Sequence, residues 1–259
     1  MNNEILHKED IKTEVADDAP IVEMKGVHKS FDGYQVLKGI DIAVHKGENL
    51  VVLGKSGSGK SVLIKCIVGL VSPDEGEVFV FGENISELKY KRLNEIRVKI
   101  GFLFQSGALY DSMTVGENLA FPLKKHFKNL SNEETEKIID EGLDDVGLKE
   151  SVDKMPSELS GGMCKRIGLA RTLILKPEIM LYDEPTTGLD TITAKEISEL
   201  IMQMQKKNKI SSIIITHDLA CAKMTADRIV MLKDGVIEAE GTYEELTVSK
   251  DEWVRSFFM

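Results

Sequence analysis

The sequence predicts an α/β fold in which buried parallel strands alternate with helices. The apolar run Leu50–Leu53 is typical of a strand that is covered on both faces. A helix beginning at Lys60 follows directly, and its apolar residues recur with the helical period of about 3.6 residues. The same alternation of apolar strand and helix returns from Ile179 onward. At about 150 residues per domain, a chain of 259 residues forms one large domain or two small ones.

Composition and charge exclude several classes of protein. The chain has 33 Lys and Arg against 43 Asp and Glu, a net charge of −10, so we expect no nucleic-acid partner, which would need a basic surface. Cys66, Cys164 and Cys221 are odd in number and contain no CxxC pair, which argues against disulfides and structural zinc and favours a reducing compartment. No apolar run approaches about 18 residues, so no transmembrane segment of its own is predicted.

The N-terminal part is predicted to contain a tail, several strands and one helix. Residues 1–20 are acidic and carry few large apolar side chains, so we expect a disordered tail. Residues 21–247 are expected to form the main domain. Its first strands are predicted at Ile21–Met24, Val36–Val44, Gly47–Leu53 and Glu77–Phe81. The helix from Lys60 is predicted to end near Val71, before a Ser-Pro-Asp-Glu-Gly turn.

The middle of the chain is predicted to be helical, over about residues 106–175. Ser131 begins a helix, because Glu134 three residues later completes a capping box. Another helix is predicted at Ser160–Leu175 and is stopped at Pro177. Leu109, Met113, Leu119 and Phe121 are apolar residues of this region, and they form either its core or a docking groove.

The α/β alternation then resumes to the end of the main domain. Strands are predicted at Ile179–Tyr182, Ser212–Thr216, Ile229–Leu232 and Val236–Ala239, and helices at Thr193–Lys207 and Leu219–Ala226. Asp234-Gly235 between the last two strands predicts a tight hairpin turn. Residues 248–259 are a C-terminal tail with three aromatic residues, which pack either on their own domain or on a partner chain.

A glycine-rich motif lies between the buried strand and the first helix. Gly54-Lys55-Ser56-Gly57-Ser58-Gly59-Lys60-Ser61 matches the phosphate-binding pattern G-x-x-x-x-G-K-[ST] in the strand–loop–helix context that the pattern requires. Glycines let backbone amides point at phosphate oxygens, and the helix N-terminus adds a positive dipole end. Lys60 is expected to reach the β- and γ-phosphates and Ser61 to ligate Mg²⁺. The alternative is an ordinary surface turn rich in Gly and Ser.

Two carboxylates follow a second buried strand. Asp183 and Glu184 come directly after Ile179–Tyr182, at the end of a strand where functional groups of parallel sheets collect. Asp183 suits a Mg²⁺ contact, and Glu184 is placed to polarise an attacking water. His217 follows Ser212–Thr216 and could meet a γ-phosphate. The alternatives are a charged strand-to-turn junction and a structural histidine.

Leu159-Ser160-Gly161-Gly162 opens a later helix and supplies a second anion site. One chain cannot easily place two such sites on one γ-phosphate, whereas a head-to-tail dimer can. Together these motifs resemble the nucleotide-binding subunit of an ABC transporter, over about residues 21–246. The resemblance implies a P-loop ABC ATPase fold with an antiparallel β subdomain and an inserted helical subdomain, and a protein that binds ATP and Mg²⁺.

The resemblance also implies roles for individual residues. Phe31 corresponds to the aromatic residue that stacks on adenine, although Tyr34 is nearby, and Gln105 to the glutamine that meets Mg²⁺ and senses the permease. The catalytic set is Glu184, His217 and Lys60. The ATP-binding set is Phe31, Gly54, Lys55, Ser56, Gly57, Ser58, Gly59, Lys60, Ser61 and Gln105, joined in trans by Ser160, Gly161, Gly162, Met163 and Asp190. The metal set is Ser61, Gln105 and Asp183.

Met163 departs from the family pattern, which has Gln at the end of this signature. Leu-Ser-Gly-Gly-Met, together with the segment Gln105–Leu123, resembles the ATPases of Mla/Mce-type lipid transporters. That resemblance implies phospholipid transport between bacterial membranes, with an integral membrane permease and an MCE-domain lipid-binding protein as partners, at the cytoplasmic face of the inner membrane. The alternatives are an ATPase of another ABC importer or exporter, and an ABC ATPase of iron–sulfur assembly.

Overall fold

The structure is a computed structural model that describes residues 19–259, and it contains two β-sheets. Most of the expected acidic tail, residues 1–18, lies outside the described residues. The first sheet is antiparallel and consists of β1 (Val22–Phe31), β2 (Tyr34–Val44), β4 (Glu75–Val80) and β5 (Glu83–Asn84). Its strand order is β2-β1-β4-β5.

The second sheet carries the predicted parallel strands. It consists of β3 (Asn49–Leu53), β6 (Ile100–Leu103), β7 (Ile179–Asp183), β8 (Ser211–Thr216), β9 (Arg228–Lys233) and β10 (Val236–Gly241). The strand order is β10-β9-β3-β8-β7-β6, and every neighbouring pair is parallel except β9 with β10. The α/β class is therefore confirmed. The carboxyl ends of β3, β7 and β8 lie at one edge of the sheet.

Helices cover both faces of the second sheet. Their bounds are α1 (Lys60–Ile67), α2 (Tyr90–Val98), α3 (Val115–His126), α4 (Asn132–Asp145), α5 (Gly161–Leu173), α6 (Thr191–Asn208), α7 (Leu219–Thr225), α8 (Tyr243–Thr247) and α9 (Glu252–Ser256). The capping box predicted for α4 is confirmed, because Ser131 accepts from the Glu134 amide and Glu134 accepts from the Ser131 amide. Helix α2 and strand β6 were not predicted. Helix α2 buries only Ile96, so it has no apolar stripe, and β6 has four residues.

Two predicted boundaries are wrong for identifiable reasons. Strand β1 continues past Met24 to Phe31, with a shift in register around Gly26, whose φ is 53°. That irregularity breaks the two-residue alternation by which a strand is identified. Helix α1 ends at Ile67 and not near Val71, because Gly69 has a φ of 67° and turns the chain out of the helix.

The second sheet is buried on both faces and so contributes to two cores. Val51 and Leu53 face the core that contains helices α3 to α7, whereas Leu50 and Val52 face the core shared with the first sheet and α1. All four side chains are fully buried, as expected of a continuous apolar strand. With both faces covered, the site is built at the carboxyl ends of the parallel strands.

The hairpin between β9 and β10 joins the two sheets. Asp234 and Gly235 both have positive φ, 49° and 85°, as the predicted two-residue turn requires. A Cβ on Gly235 would lie 2.5 Å from the carbonyl oxygen of Val36, so only glycine fits there. The Lys38 amide donates to the Gly235 carbonyl at 2.8 Å. This contact ties β2 of the first sheet to the turn of the second.

The C-terminal residues pack on their own chain. Val254 of α9 is fully buried and belongs to the same core as Leu53, and Trp253 and Phe257 pack against that core. The Lys233 ammonium lies 4.7 Å from the centre of the Trp253 ring. In the single chain, the aromatic residues of the tail therefore cover the main domain.

Asn118 fixes the loop that precedes α3. It is fully buried, and its amide nitrogen donates to the carbonyls of Tyr110, Met113 and Thr114 at 3.0–3.1 Å. Its carbonyl oxygen accepts from the Tyr110 amide at 2.8 Å. Leu119 next to it is fully buried and belongs to the core, whereas Phe121 is 38% exposed and contacts Tyr110 edge-on.

We predict that Asn118→Ala lowers the free energy of unfolding by about 2–4 kcal/mol, because it leaves several loop carbonyls and one amide without a partner. Urea unfolding followed by circular dichroism measures the change. Asn208→Ala is the control, since Asn208 is exposed and makes one hydrogen bond with the Met204 carbonyl. Equal losses in the two variants would contradict the role given to Asn118.

Candidate functional site

The glycine-rich loop follows β3 and ends in the first turn of α1. Gly57 and Gly59 have φ of 82° and 109°, in the region that favours glycine. A Cβ on Gly59 would lie 2.9 Å from the Val36 carbonyl oxygen, and a Cβ on Gly54 would collide with the Leu232 carbonyl oxygen. The loop therefore folds tightly only with glycine at these positions. The loop packs between Val36 of β2 and Leu232 near the end of β9.

The Lys60 ammonium lies inside the loop. The residue is 6% exposed, and its Nζ donates to the carbonyl oxygens of Gly54 at 2.8 Å and Lys55 at 3.1 Å. Nζ also lies 3.5 Å from Oε1 of Glu184. A positive charge is thus fixed at the centre of the loop, where it can attract an anion.

Two oxygen donors meet between α1 and β7. The Ser61 hydroxyl donates to Oδ1 of Asp183 at 3.2 Å. Burial raises the pKa of Asp183, the Ser61 hydrogen bond lowers it, and the Glu184 carboxylate raises it further. Hydroxyl and carboxylate oxygens are the donors that Mg²⁺ prefers, so the pair fits that ion.

Glu184 is held in a strained backbone conformation. Its φ is 51°, which is uncommon for a residue other than glycine and is typical of functional sites. Its amide donates to the Ile215 carbonyl of β8 at 2.9 Å. Its carboxylate Oε2 accepts from the Thr187 hydroxyl at 3.1 Å and lies 2.8 Å from Nδ1 of His217. The Glu184 side chain is 13% exposed, and that of His217 is 57% exposed.

A cleft of about 740 Å³ brings half of the predicted site residues together, whereas Phe31, Gly54, Ser58 and Asp183 do not line it, nor do the signature residues. It is lined by Val36, Lys55, Ser56, Gly57, Gly59, Lys60, Ser61, Val62, Gln105, Glu184, Thr187, His217 and Phe257. Sequence reasoning missed Thr187 and Phe257. Thr187 lies three residues after Glu184 in a turn. This short spacing is the one feature of the sequence that could have indicated a contact between the two side chains. Phe257 gave none, because it reaches the cleft by the packing of α9.

The signature residues lie elsewhere on the chain. Ser160 caps α5 by accepting from the Met163 amide at 3.3 Å, and Asp190 caps α6 by accepting from the Ile192 and Thr193 amides at 3.0 Å. The Thr193 hydrogen bonds lower the pKa of Asp190. Among the residues described, neither Asp190 nor the Ser160–Met163 loop lines the cleft. A single chain therefore does not bring these residues to the glycine-rich loop.

The two candidate aromatic residues lie on the hairpin between β1 and β2. Phe31 pairs with Tyr34 across that hairpin, and the two are 45% and 66% exposed. The Lys29 ammonium lies 5.3 Å from the centre of the Phe31 ring. Val36 of the same hairpin lines the cleft, so both rings lie on the strand pair that borders it.

Comparison with known proteins identifies the family. The profile of the ABC transporter family matches residues 37–187, and the chain belongs to this family. The chain is 40% identical to the probable ribonucleotide transport ATP-binding protein mkl of Mycobacterium leprae, over 91% of this chain and 68% of that protein. It is 38% identical to the chloroplastic protein TRIGALACTOSYLDIACYLGLYCEROL 3 of Arabidopsis thaliana, over 92% of this chain and 73% of that protein.

A solved structure agrees with this assignment. The dimeric ATP-binding cassette MJ0796, in a post-hydrolysis state bound to ADP and Pi, matches with a TM-score of 0.79 and 34% identity, over 85% of this chain and 98% of that one. The chain is therefore an ATP-binding, ATP-hydrolysing subunit of an ABC transporter, and the predicted ABC ATPase fold is confirmed. Within residues 19–259, no helix has both the length and the apolar character needed to cross a membrane.

We predict that Asp183→Asn stabilises the nucleotide-free protein at pH 7, by on the order of 1 kcal/mol, because it removes a carboxylate whose charged form is disfavoured by burial and by Glu184. The folded-state pKa of Asp183 is raised, so its contribution to stability is present below the unfolded pKa and is lost as the pH rises through the folded pKa. Thermal unfolding at pH 7 measures the gain.

The gain should shrink as the pH falls and vanish below the ordinary pKa of an aspartate, where Asp183 is protonated in both states. Asp153→Asn is the control, since Asp153 is exposed and no shift in stability is expected from it. A lower melting temperature for Asp183→Asn at pH 7 would contradict the prediction.

Proposed function

We propose that this chain powers lipid transport between bacterial membranes. Two copies form a head-to-tail dimer that binds ATP, and the dimer acts on an integral membrane permease and an MCE-domain lipid-binding protein at the cytoplasmic face of the inner membrane. The observation that carries the hydrolytic part is the position of Glu184, beside Lys60 and 2.8 Å from His217 at the mouth of the glycine-rich loop. The lipid part is supported by the Arabidopsis thaliana relative and by the resemblance to Mla/Mce-type ATPases.

The glycine-rich loop and Lys60 bind the phosphates of ATP. The loop residues that we assign to ATP are Gly54, Lys55, Ser56, Gly57, Ser58, Gly59, Lys60 and Ser61. Backbone amides at the N-terminus of α1 add a positive dipole end to the Lys60 charge. This local positive charge explains how a chain with a net charge of −10 binds a polyanion.

Glu184 is the general base of the hydrolysis. It accepts a proton from a water molecule whose oxygen forms a bond to the γ-phosphorus, while the bond from that phosphorus to the oxygen of ADP breaks. His217 and Thr187 orient the carboxylate through the contacts at 2.8 and 3.1 Å. Lys60 and His217 then face the negative charge that develops on the phosphoryl group.

Ser61, Asp183 and Gln105 are the residues that hold Mg²⁺. Bound Mg²⁺ neutralises negative charge on the phosphate oxygens. The hydrogen bond between Ser61 and Asp183 keeps the two oxygens together, and Ser61 lines the same cleft as Gln105.

The signature loop acts on the ATP of the other copy. Ser160, Gly161, Gly162, Met163 and Asp190 form this surface, which is distinct from the cleft of their own chain. The amides at the N-terminus of α5 suit an anion, as do those at the loop that binds the phosphates. A dimer in which each chain covers the cleft of the other gives every ATP both sets of amides. Phe31 stacks on the adenine at the border of the same cleft.

Residues 106–175 form the helical subdomain. This subdomain contacts the permease and transmits movement between it and the ATP-binding cleft. Its exposed aromatic residues Tyr110 and Phe121 contact each other edge-on and follow Gln105 in the chain. Exposed aromatic residues are typical of contact surfaces between proteins. Because Gln105 lines the cleft, this surface is linked to the nucleotide by a short segment of chain.

Two features support lipid as the cargo. The Arabidopsis thaliana relative carries the name of a glycerolipid, trigalactosyldiacylglycerol. Leu159–Met163 and Gln105–Leu123 resemble the Mla/Mce-type ATPases. The Mycobacterium leprae relative is named for ribonucleotide transport, so a ribonucleotide is the second candidate cargo.

We predict that Glu184→Gln lowers the rate of ATP hydrolysis by on the order of 100-fold or more, because it removes the proton acceptor and keeps the shape of the side chain. ATP binding is retained, so the variant accumulates as a dimer with ATP. Phosphate release and size-exclusion chromatography measure the two effects.

Ser160→Arg in the same variant is the matched comparison. It blocks the surface assigned to the partner's ATP and leaves the chain's own cleft unchanged, so the ATP-dependent dimer should disappear. Normal hydrolysis by Glu184→Gln would overturn the assignment of the base. A dimer that survives Ser160→Arg would overturn the action of the signature loop in trans.

We predict that the tagged chain, purified from detergent-solubilised membranes, brings down a polytopic permease and an MCE-domain protein with bound phospholipid, because these are the partners that the proposed cargo requires. Mass spectrometry of proteins and lipids identifies them. A variant with Tyr110→Ser and Phe121→Ser is the control, and it should lose the permease.

Recovery of a permease with a nucleoside-binding protein would replace lipid by ribonucleotide as the cargo. Recovery of soluble scaffold proteins alone would overturn the transport proposal and leave the chemistry of ATP hydrolysis intact.

A further inference from the structure

Lys165 is a buried lysine that the site described above does not use. It lies in the second turn of α5, two residues after Met163, and it is 5% exposed. Its ammonium donates to the backbone carbonyl of Gln105, in a short contact, and to the backbone carbonyl of Glu184 at 3.3 Å. One side chain of the signature helix therefore contacts both the glutamine and the glutamate of the cleft.

Burial of the Lys165 ammonium is unfavourable for folding. Burial lowers the pKa of Lys165, and the carboxylates of Asp183 and Glu184 oppose that shift without forming an ion pair with it. A buried charge whose hydrogen bonds go to neutral carbonyls is weak evidence for stability, since an apolar side chain of similar volume is often as stable. Its two acceptors, in contrast, belong to the two loops on which the proposed chemistry depends.

Two further residues of α5 contact the segment that follows Gln105. A Cβ on Gly168 would lie 2.7 Å from the Gly107 carbonyl oxygen, so helix and segment touch backbone to backbone. The Arg171 guanidinium donates to the Ala108 carbonyl at 2.7 Å. Positions 165, 168 and 171 are three residues apart and share one face of the helix. Residues 105–108 are thus attached to α5 along its length.

We propose that Lys165 is a positioning residue that holds the Glu184 and Gln105 backbones to the signature helix, so that hydrolysis depends on the position of α5. The inference rests on the role of Glu184 proposed above. Lys165 is not among the residues that line the cleft, and in this role it acts through Glu184.

The backbone of Glu184 explains why one lysine matters. Its φ of 51° is an unfavourable conformation, and its amide is fixed by the Ile215 carbonyl at 2.9 Å. Its carbonyl accepts from the Lys165 ammonium and from the Thr187 amide, each at 3.3 Å, and of these two donors Lys165 is the one that belongs to α5. Without Lys165, the Glu184 backbone loses its bond to the signature helix and keeps its bonds to β8 and to its own turn, so the carboxylate moves relative to the phosphates. The loop that binds ATP keeps its own contacts.

Loss of Lys165 should therefore affect ATP hydrolysis more than ATP binding. A displacement of about 1 Å at a reacting group can lower a rate by about 100-fold. We expect Lys165→Met in the full-length chain to lower kcat by on the order of 10- to 100-fold, with the KM for ATP changed by less than about threefold. Lys165→Arg keeps a charged donor for the same carbonyls and should recover most of kcat.

Lys195→Met is the matched control, because the side chain of Lys195 is 66% exposed and pairs with Glu199 one turn away. Its kcat should be unchanged. Thermal unfolding of every variant separates a loss of stability from a loss of rate. If Lys165→Met does not fold, Lys165→Gln is measured against the same criterion, since it keeps a neutral donor.

The outcomes distinguish this inference from the proposed function. A folded Lys165→Met that keeps its kcat, or that changes kcat and KM equally, overturns the positioning role. If Glu184→Gln is inactive in parallel, the role of Glu184 then stands. If Glu184→Gln hydrolyses ATP normally, the role of Glu184 fails, and this inference fails with it.

Discussion

The site depends on one constraint, the parallel alignment of β3, β7 and β8 in a sheet that is buried on both faces. Each strand ends at the same edge, and each delivers one part of the site there: the glycine-rich loop after β3, Asp183 and Glu184 at the end of β7, and His217 after β8. Hydrogen bonds across the strands set the spacing of these parts. The bond from the Glu184 amide to the Ile215 carbonyl carries that spacing one residue beyond the strand.

The groups of the site are held against their own preferences. Asp183 is partly buried beside a second carboxylate, Glu184 has a positive φ, and Lys60 and Lys165 are almost fully buried. Each of these features lowers the stability of the nucleotide-free chain. Backbone carbonyls of the surrounding loops accept hydrogen bonds from both lysines and so offset part of the free energy lost by burying them. In the function that we propose, bound ATP and Mg²⁺ would offset the charges of these groups.

In the dimer that we propose, the separation of the cleft from the signature loop has a functional consequence. If each signature loop acts on the ATP of the other copy, hydrolysis depends on the approach of a second chain. Residues 105–108 connect the two, because they line the cleft at Gln105 and lie along α5 as far as Arg171. In the function that we propose, these backbone contacts connect the helical region to the cleft.

The class of fold and part of the candidate site can be predicted from the sequence. Local spacing predicts the buried strand Leu50–Leu53, the glycine-rich loop and the Asp183-Glu184 pair, and the few residues that a tight turn allows predict the turn at Asp234-Gly235. Three contacts are decided by the tertiary structure: Thr187 donates to Glu184, Phe257 borders the cleft, and Lys165 contacts two loops. These contacts join residues on different elements, such as Gln105 and Lys165, 60 positions apart. Periodicity and capping report a residue's neighbours along the chain, whereas such contacts depend on how whole elements pack.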